Sequence, residues 1–378
     1  MISSVRNNTF ARERTVAEIK RLSMAGLDGQ ELLRGTAEAL RRTVPFGSYC
    51  VATIDPASNL LTHVINGGSA GEEAHIETYH DVLSRTYFEE DVGRLSTMLR
   101  ERRPAQPLSE AAGGVLDRSV RYREYLGPVG FGHELAGLFA DGEPWGAGYF
   151  TREAGEPDFG SGEVALLERV APHVGTGLKA AALRSRATDG RPGSNVPGVV
   201  TLDRGGRVLS YTPAAESLLA DVEDLSPAWS EGRLPLTIQM AIGALKRALD
   251  PASDKDLTLV PKVRLRGRSG RWLTLHASLT ESTPGRMSET VVVISPSEPE
   301  EVAQLSVASF GLTAREEEIA KLVARGRSTR QISGALFISE HTVHNHLRSI
   351  FEKTGVHSRR ELVQRLYFER LLPDVLRL

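Results

Sequence analysis

The stretch STRQISGALFISEHTVHNHL, residues 328–347, contains two helix starts separated by a short apolar turn. Ser328 and Gln331 have the spacing of a capping box, in which two side chains satisfy free backbone N–H groups at a helix start. Phe337 and Ile338 form the apolar turn, and Ser339 is placed to cap the next helix. A short helix, a tight turn and a longer helix predict a helix-turn-helix unit.

Capping chemistry predicts one further helix on each side of this unit. Thr313 and Glu316 form a capping box ahead of a helix that is expected to end at Gly326, because glycine tolerates a left-handed exit. Ser358 and Glu361 form another box, ahead of a fourth helix. The C-terminal region is therefore predicted to be an all-α, four-helix domain.

The helix predicted from Ser339 to Gly355 has an apolar side and a polar side when its residues are placed about 100° apart. The apolar side consists of Val343, Leu347 and Ile350. The polar side consists of His341, His344, Asn345 and Arg348. Such a helix fits the DNA major groove, where asparagine pairs with adenine and arginine with guanine, while neutral histidine donates or accepts. The pattern predicts binding to double-stranded DNA.

The segment from Leu312 to Arg359 closely resembles the output domain of LuxR-type regulators. The resemblance rests on LTARE at its start, on the glycine of ARGRS, on SEHTV in the third helix, and on KTGVHSR at its end. The resemblance implies that His344, Asn345 and Arg348 face bases, with His341 beside them on the same polar side. It also implies that a second group lies near phosphates, namely Thr329, Arg330, Ser339, Thr342 and Arg359.

The same resemblance implies a homodimer, because the fourth helix of LuxR-type output domains pairs two subunits. Here that helix would present Leu362, Val363 and Leu366 to the partner. Contacts with the transcription machinery are a further expectation for a regulator of this type.

Three positions depart from the family pattern. The family commonly has Lys where His344 stands, Glu-Ile-Ala where Gln331 to Ser333 stand, and Leu where Thr354 stands. Loss of a fixed positive charge at position 344 is expected to weaken the sequence-independent attraction to phosphates.

Two stretches have the composition of linkers. Residues 184–198 are rich in charged residues, Gly and Pro and lack an apolar period, and residues 295–301 contain two prolines and three glutamates. They divide the chain into a multidomain protein with predicted domains at 1–183, 195–296 and 303–378. A chain of 378 residues is expected to hold two or three domains, at roughly 100–200 residues each.

The first predicted domain has helical patterns that flank strand-like runs. SYCVATI and LLTHVI are separated by the turn residues DPASN and are therefore predicted to form a hairpin of an α+β domain. The domain resembles a GAF-like sensory domain in VPFGSYCVATIDPAS, in REYLGPVGF and in EPWGAGYFTRE.

The second predicted domain begins with a strand, a Gly-Gly turn, another strand and a helix opened by Pro213, and it ends with three strands. This α+β order resembles a PAS domain, although that family usually has Asn where Thr212 stands. Both resemblances imply that either domain could bind a small-molecule effector or a partner protein. No cofactor is predicted.

An enzymatic alternative rests on residues 67–71, GGSAG, which match a nucleophile elbow around Ser69. A hydrolase would need Asp and His on a parallel sheet, whereas the preceding pattern is a hairpin, so neither catalytic residues nor an enzyme are predicted. His75 and His80 would point about 140° apart on a helix, and no metal site is predicted there. The alternative left open is a sensory or hydrolase-like protein whose tail only dimerises or binds protein.

Composition limits the class of protein. The chain is 40% hydrophobic and 25% charged, as is usual for globular proteins, and its single cysteine, Cys50, excludes an internal disulfide. Neither a signal peptide nor a run approaching the ~18 apolar residues of a membrane span is found, so a cytoplasmic location is expected. The C-terminal region is mildly basic, whereas the remainder is acidic. Together these features predict a DNA-binding transcription regulator controlled by sensory domains.

Overall fold

The computed structural model describes residues that fall into two compact units, Met1–Pro296 and Ser297–Leu378. The first unit contains two antiparallel sheets, and the second consists of helices in the part that is described. The described residues are 2–68, 82, 87, 91–184, 196–203, 205–222, 234–249, 261–280, 289–297, 312–324, 327–359 and 361–362.

The first sheet has the strand order β2-β1-β5-β4-β3, and all neighbours are antiparallel. The hairpin predicted around the turn residues is confirmed, since Asp55 pairs with Leu60 across it. The strands are β1 (Ser48–Asp55), β2 (Leu60–Gly68), β3 (Ala105–Pro107), β4 (Phe131–Asp141) and β5 (Glu143–Glu153).

Two helices cover one face of this sheet, and a third packs against them. Their apolar side chains share a buried cluster with Val51, Leu135 and Phe150, which project from that face. An Asp28–Glu31 capping box opens the second of them. The long helices are α1 (Ile2–Met24), α2 (Gly29–Arg41) and α5 (Ser161–Arg184).

Shorter helical segments lie against the opposite face of the sheet. Met98, Leu108 and Tyr125 from these segments share a buried cluster with Cys50 and Tyr149 of the strands. Because side chains alternate along a strand, this face carries a separate set of residues from the face under the long helices. The segments are α3 (Leu95–Glu101), α4 (Leu108–Ala111), a 3₁₀ turn (Leu116–Arg118) and a π-helical turn (Tyr122–Leu126).

The second sheet has the strand order β7-β6-β10-β9-β8 and is also antiparallel. Thr212 caps its first helix, because its hydroxyl accepts hydrogen bonds from the backbone N–H groups of Ala215 (3.3 Å) and Val199 (3.0 Å). Threonine therefore caps this helix at the position where PAS domains usually have Asn. The elements are β6 (Gly198–Leu202), β7 (Val208–Tyr211), α6 (Pro213–Leu219), α7 (Leu236–Leu249), β8 (Lys262–Arg266), β9 (Trp272–Leu279) and β10 (Thr290–Pro296).

The two sheets contact each other through a buried ion pair. The Asp55 carboxylate accepts hydrogen bonds from the Arg264 backbone N (3.0 Å), Nε (3.2 Å) and Nη2 (2.9 Å). Both side chains are at least 96% buried. Nearby, His63 donates through Nε2 to the Arg266 carbonyl oxygen at 2.6 Å, because a carbonyl oxygen can only accept.

Apolar packing joins the sheets as well, since one buried cluster holds Val64 of β2 together with Leu265 of β8 and Ile242 of α7. Residues 185–195 of the first predicted linker lie outside the described residues. The domain boundary predicted there stays a prediction. In the part of the chain that is described, no helix combines the length and the apolar character that crossing a membrane requires.

The described residues of the second unit form three helices and the start of a fourth, at residues 359, 361 and 362. Gly326, the predicted end of the first, is outside the described residues. The helices are α8 (Ala314–Ala324), α9 (Thr329–Leu336) and α10 (Glu340–Thr354). Their shared core is formed by Leu312, Ile319, Ala320, Val323, Ile332, Val343, Leu347, Ile350, Val356 and Leu362.

Candidate nucleic-acid interface

Helix α10 begins and ends where the capping residues predicted. The Ser339 hydroxyl accepts a hydrogen bond from the Thr342 backbone N–H at 3.0 Å, and the two hydroxyl oxygens lie 2.8 Å apart. The helix ends at Gly355, which has φ +65° and tolerates this left-handed conformation because it lacks a Cβ. The start and the end of the helix are therefore both fixed by local chemistry.

The predicted division of α10 into two sides is present in the structure. Val343, Leu347 and Ile350 are buried in the domain core. The four residues of the opposite side are all exposed, namely His341, His344, Asn345 and Arg348. We call this group the polar face of α10.

One side chain of the polar face is held by the helix itself. The Nδ1 atom of His344 lies 2.8 Å from the carbonyl oxygen of Glu340, one turn earlier. Because the carbonyl oxygen can only accept, Nδ1 carries the hydrogen in this contact.

Three residues predicted near phosphates meet at the start of α9. Thr329 and Arg330 occupy its first turn, which the Ser328–Gln331 capping box opens with hydrogen bonds of 2.9 and 3.3 Å. The Arg359 guanidinium donates to the carbonyl oxygen of Arg327 and is thereby placed beside this turn. Ser339 and Thr342 lie apart from this group in the chain, at the start of α10.

The turn between α9 and α10 is fixed by two hydrogen bonds to carbonyl oxygens. Arg315 Nη2 donates to Leu336 O, and Ser333 Oγ donates to Ile338 O, both at 2.6 Å. Phe337, between these carbonyls, has φ +54° and is 95% exposed. A non-glycine residue in the left-handed region carries a steric penalty.

Phe337→Gly is expected to raise the free energy of unfolding of the C-terminal unit by up to about 1 kcal/mol, because it relieves that penalty at some cost in chain entropy. Little apolar burial is lost, since the ring is exposed. Hydrogen exchange of α10 amides in the full chain measures the change. Phe337→Ala is the control, since it retains the left-handed strain and should not stabilise; stabilisation by both variants would contradict the explanation.

Glu316 connects α8 to α10, a role that its capping position did not predict. Its carboxylate accepts hydrogen bonds from the Thr313 backbone N (2.7 Å), Ser349 Oγ (2.6 Å) and Lys353 Nζ (2.7 Å). Burial by itself would raise the pKa of Glu316, but the bonds from Lys353, Ser349 and Thr313 together lower it to about 2. Ser349 and Lys353 are four residues apart on α10, and that spacing is the sequence signal for a shared partner.

The departures from the family pattern are accommodated by hydrogen bonds. Gln331 completes a capping box and Ser333 supports the turn, as described above. Thr354 is 2% exposed, and its hydroxyl donates to Ile350 O at 2.7 Å. A buried hydroxyl at this position is therefore satisfied within its own helix.

The fourth helix begins with its predicted cap, since Ser358 Oγ accepts from the Glu361 backbone N at 3.1 Å. Leu362 is fully buried in the core of its own domain. Val363 and Leu366 lie outside the described residues. The dimer contact assigned to these three residues stays a prediction.

Ser69, His75 and His80 also lie outside the described residues. Among the described strands, β2, which precedes Ser69, pairs with β1 alone, and the sheet is antiparallel. Among the residues that the structure describes, no group of three His, Cys, Asp or Glu side chains is arranged to hold a metal ion.

Comparison with known proteins gives matches to bacterial regulators. Residues 311–366 match the family described as bacterial regulatory proteins, luxR family. The spore germination protein GerE of Bacillus subtilis is 42% identical over 55 residues, which are 15% of this chain and 74% of GerE. The monoamine regulon transcriptional regulator of Klebsiella aerogenes is 50% identical over 56 residues, 15% of this chain but only 25% of that regulator.

A solved structure of SdiA in complex with octanoyl-rac-glycerol is 12% identical and covers 95% of this chain and 93% of its own, with a TM-score of 0.28. A TM-score this low does not establish a shared fold. The chain thus spans about three quarters of GerE and one quarter of the Klebsiella aerogenes regulator.

Proposed function

Because the chain belongs to the luxR family of bacterial regulatory proteins, we propose that it regulates transcription by placing the polar face of α10 in the major groove of double-stranded DNA. The observation that carries this proposal is the polar face itself. Four exposed polar side chains project from a helix whose other side is buried and whose start is capped.

Within this proposal, two groups of residues have different roles. His344, Asn345 and Arg348 contact base edges and carry sequence preference, with His341 beside them. A second group positions the domain on the phosphates, and the hydrogen bonds at the starts of α9 and α10 support its placement. It consists of Thr329, Arg330, Ser339, Thr342 and Arg359.

Asn345→Ala and Arg348→Ala are each expected to reduce discrimination between the preferred and mismatched sites by about 1–3 kcal/mol, because each removes a two-point base contact. Selection of random duplexes with the full chain identifies the site, and titrations with matched and mismatched duplexes measure the loss. Arg330→Ala is the control, since a lost phosphate contact should weaken binding to all sequences alike. Unchanged site preference in both variants would contradict the proposal.

Dimerisation through the fourth helix belongs to the same proposal. Two copies would place two α10 helices on half-sites, so selection should enrich an inverted repeat. Because Leu362 packs inside its own domain, the surface offered to a partner would come from Val363 and Leu366. Contacts with the transcription machinery would follow once the dimer is bound.

The N-terminal unit is proposed to sense a small molecule or a partner protein, as GAF-like and PAS-like domains do. Support comes from one row of residues across the first sheet, where Asn66, Cys50, Tyr149, Ala136 and Gln106 pair laterally from β2 to β3. The buried amide atoms of Asn66 and the Gln106 carbonyl oxygen have no hydrogen-bond partner in the described structure. Buried polar atoms usually have a partner, which a bound ligand could supply.

A buried charge pair lies next to this row. Arg121 Nη2 is 2.5 Å from Glu134 Oε1, and both side chains are at least 96% buried. Burial raises the pKa of Glu134, although Arg121 opposes the shift. The second carboxylate oxygen of Glu134 has no partner among the described residues, so a ligand with N–H or O–H donors would suit this face.

A further inference from the structure

We propose that His344 reads DNA as a hydrogen-bond acceptor and therefore selects a base that presents an exocyclic amino group, either adenine through N6 or cytosine through N4. The inference rests on the proposed function, in which the polar face of α10 lies in the major groove. It adds the chemical class of base that one position of the helix recognises.

The hydrogen bond within α10 decides which ring nitrogen of His344 carries the hydrogen. Nδ1 lies 2.8 Å from the Glu340 carbonyl oxygen, which has no hydrogen to give. The hydrogen is therefore on Nδ1, and in a neutral imidazole the other nitrogen, Nε2, keeps its lone pair. This contact directs the acceptor atom away from the helix backbone.

The location of His344 makes that acceptor available to a base. The side chain is exposed and lies one turn inside the N-terminal end of α10, the end that approaches base edges in helix-turn-helix proteins. In the major groove, adenine and cytosine each present an amino donor, whereas guanine presents only the acceptors N7 and O6. A neutral His344 held in this way can bond to the first two bases but repels the acceptors of guanine.

A lysine at this position, which is common in LuxR-type output domains, would act as a hydrogen-bond donor rather than an acceptor. Its ammonium group has three donors and no acceptor, so it favours guanine or a phosphate. The polar face of this chain instead combines an acceptor at His344, an amide with both functions at Asn345, and a donor at Arg348. A site that this face recognises should therefore contain an adenine and a guanine, and the amino group of a further base pair should face His344.

The test begins with selection of random duplexes by the full chain and by its His344→Ala variant. The base pair whose preference disappears in the variant is the one that faces position 344. Because every base pair contains either adenine or cytosine, the selected pair identifies the candidate amino group, N6 of adenine or N4 of cytosine. His344→Lys, which has donors but no acceptor, should no longer depend on that amino group. Asn345→Ala should leave this base pair's preference in place and is the matched control.

Base analogues then isolate the single hydrogen bond. Purine replaces adenine without its N6 amino group, and the corresponding 2-pyrimidinone replaces cytosine without N4. The wild type should lose about three- to tenfold in affinity, as expected for one hydrogen bond, and His344→Ala should bind both duplexes equally. If adenine is the selected base, 7-deazaadenine removes only an acceptor and should affect both proteins alike.

The outcomes separate this inference from the proposed function. If neither the wild type nor its variants select any sequence, the proposed function is wrong, and the inference about His344 is wrong with it. If a site is selected but no base depends on His344, the inference alone is overturned. No loss on the analogues in the wild type, or equal losses in both proteins, would also overturn it.

Discussion

Arg264→Ala is expected to lower the free energy of unfolding of the N-terminal unit by about 3–5 kcal/mol, because it leaves a buried carboxylate without its cation. The Asp55 side chain is 2% exposed and accepts three hydrogen bonds from Arg264. The bond to the Arg264 backbone N survives the substitution, but those to Nε and Nη2 are lost. Ala57 N and Ser58 Oγ, both at 3.1 Å, remain as local donors to Asp55 and do not neutralise its charge.

Tryptophan fluorescence measures this change, because the chain has three tryptophans and all of them precede residue 297. Denaturant titrations of the full chain therefore report on the N-terminal unit. The matched control is Arg169→Ala, which breaks the exposed pair between Arg169 and Glu13 (2.8 Å) and should have a much smaller effect, because water and salt screen exposed pairs. If both substitutions lowered the free energy of unfolding equally, burial of the Asp55–Arg264 pair would not explain the loss.

A double substitution separates the contribution of the ion pair from the cost of leaving one buried charge unpaired. Asp55→Leu combined with Arg264→Leu removes both charges, and much of the loss should be recovered because no charge remains buried. Recovery is expected to be incomplete, since the Asp55 carboxylate also supports the β1–β2 turn.

Glu316→Ala is expected to destabilise the C-terminal unit by about 1.5–3 kcal/mol, because it removes a buried carboxylate that accepts hydrogen bonds from two helices. The Glu316 side chain is 5% exposed, and its removal leaves Ser349 and Lys353 without this shared acceptor. Since the tryptophans lie in the other unit, hydrogen exchange of the α10 amides in the full chain is the appropriate measurement. Glu318→Ala, which breaks the more exposed pair with Arg315, should have a much smaller effect.

The same carboxylate predicts a specific dependence of stability on pH. The pKa of Glu316 is lowered from 4.5 to about 2 in the folded chain. Its stabilising contribution is therefore fully present above the unfolded pKa and is lost as pH falls from there towards 2. Glu316→Gln should be less stable at neutral pH and should lack this part of the acid transition. An unaltered acid transition in that variant would contradict the assignment.

The sequence predicted the C-terminal helices well, because capping residues and apolar period are local signals. Ser339, Gly355 and the polar face of α10 all lie where that chemistry placed them. The role of Glu316 in anchoring α10 was not predicted, since its partners Ser349 and Lys353 are 33 and 37 residues away. Only helix packing brings them together.

The N-terminal unit shows the same limit. Asp55 was interpreted as a turn residue, and it does support the turn through Ala57 and Ser58. Its ion pair with Arg264, 209 residues later, left no periodic or capping signal in the sequence. Likewise, strand-like runs and turn residues predicted strands, but nothing local predicted which edge of one sheet would contact the other.

The Asp55–Arg264 pair and the apolar cluster around it limit how this protein could be recombined with other regulators. A chimaera joined between the two sheets would leave one member of a buried charge pair opposite a foreign surface, and would also expose part of a common apolar interior. A crossover after Pro296 would keep both sheets together and exchange the C-terminal helical unit intact. The ion pair therefore favours chimaeras in which both sheets come from the same protein.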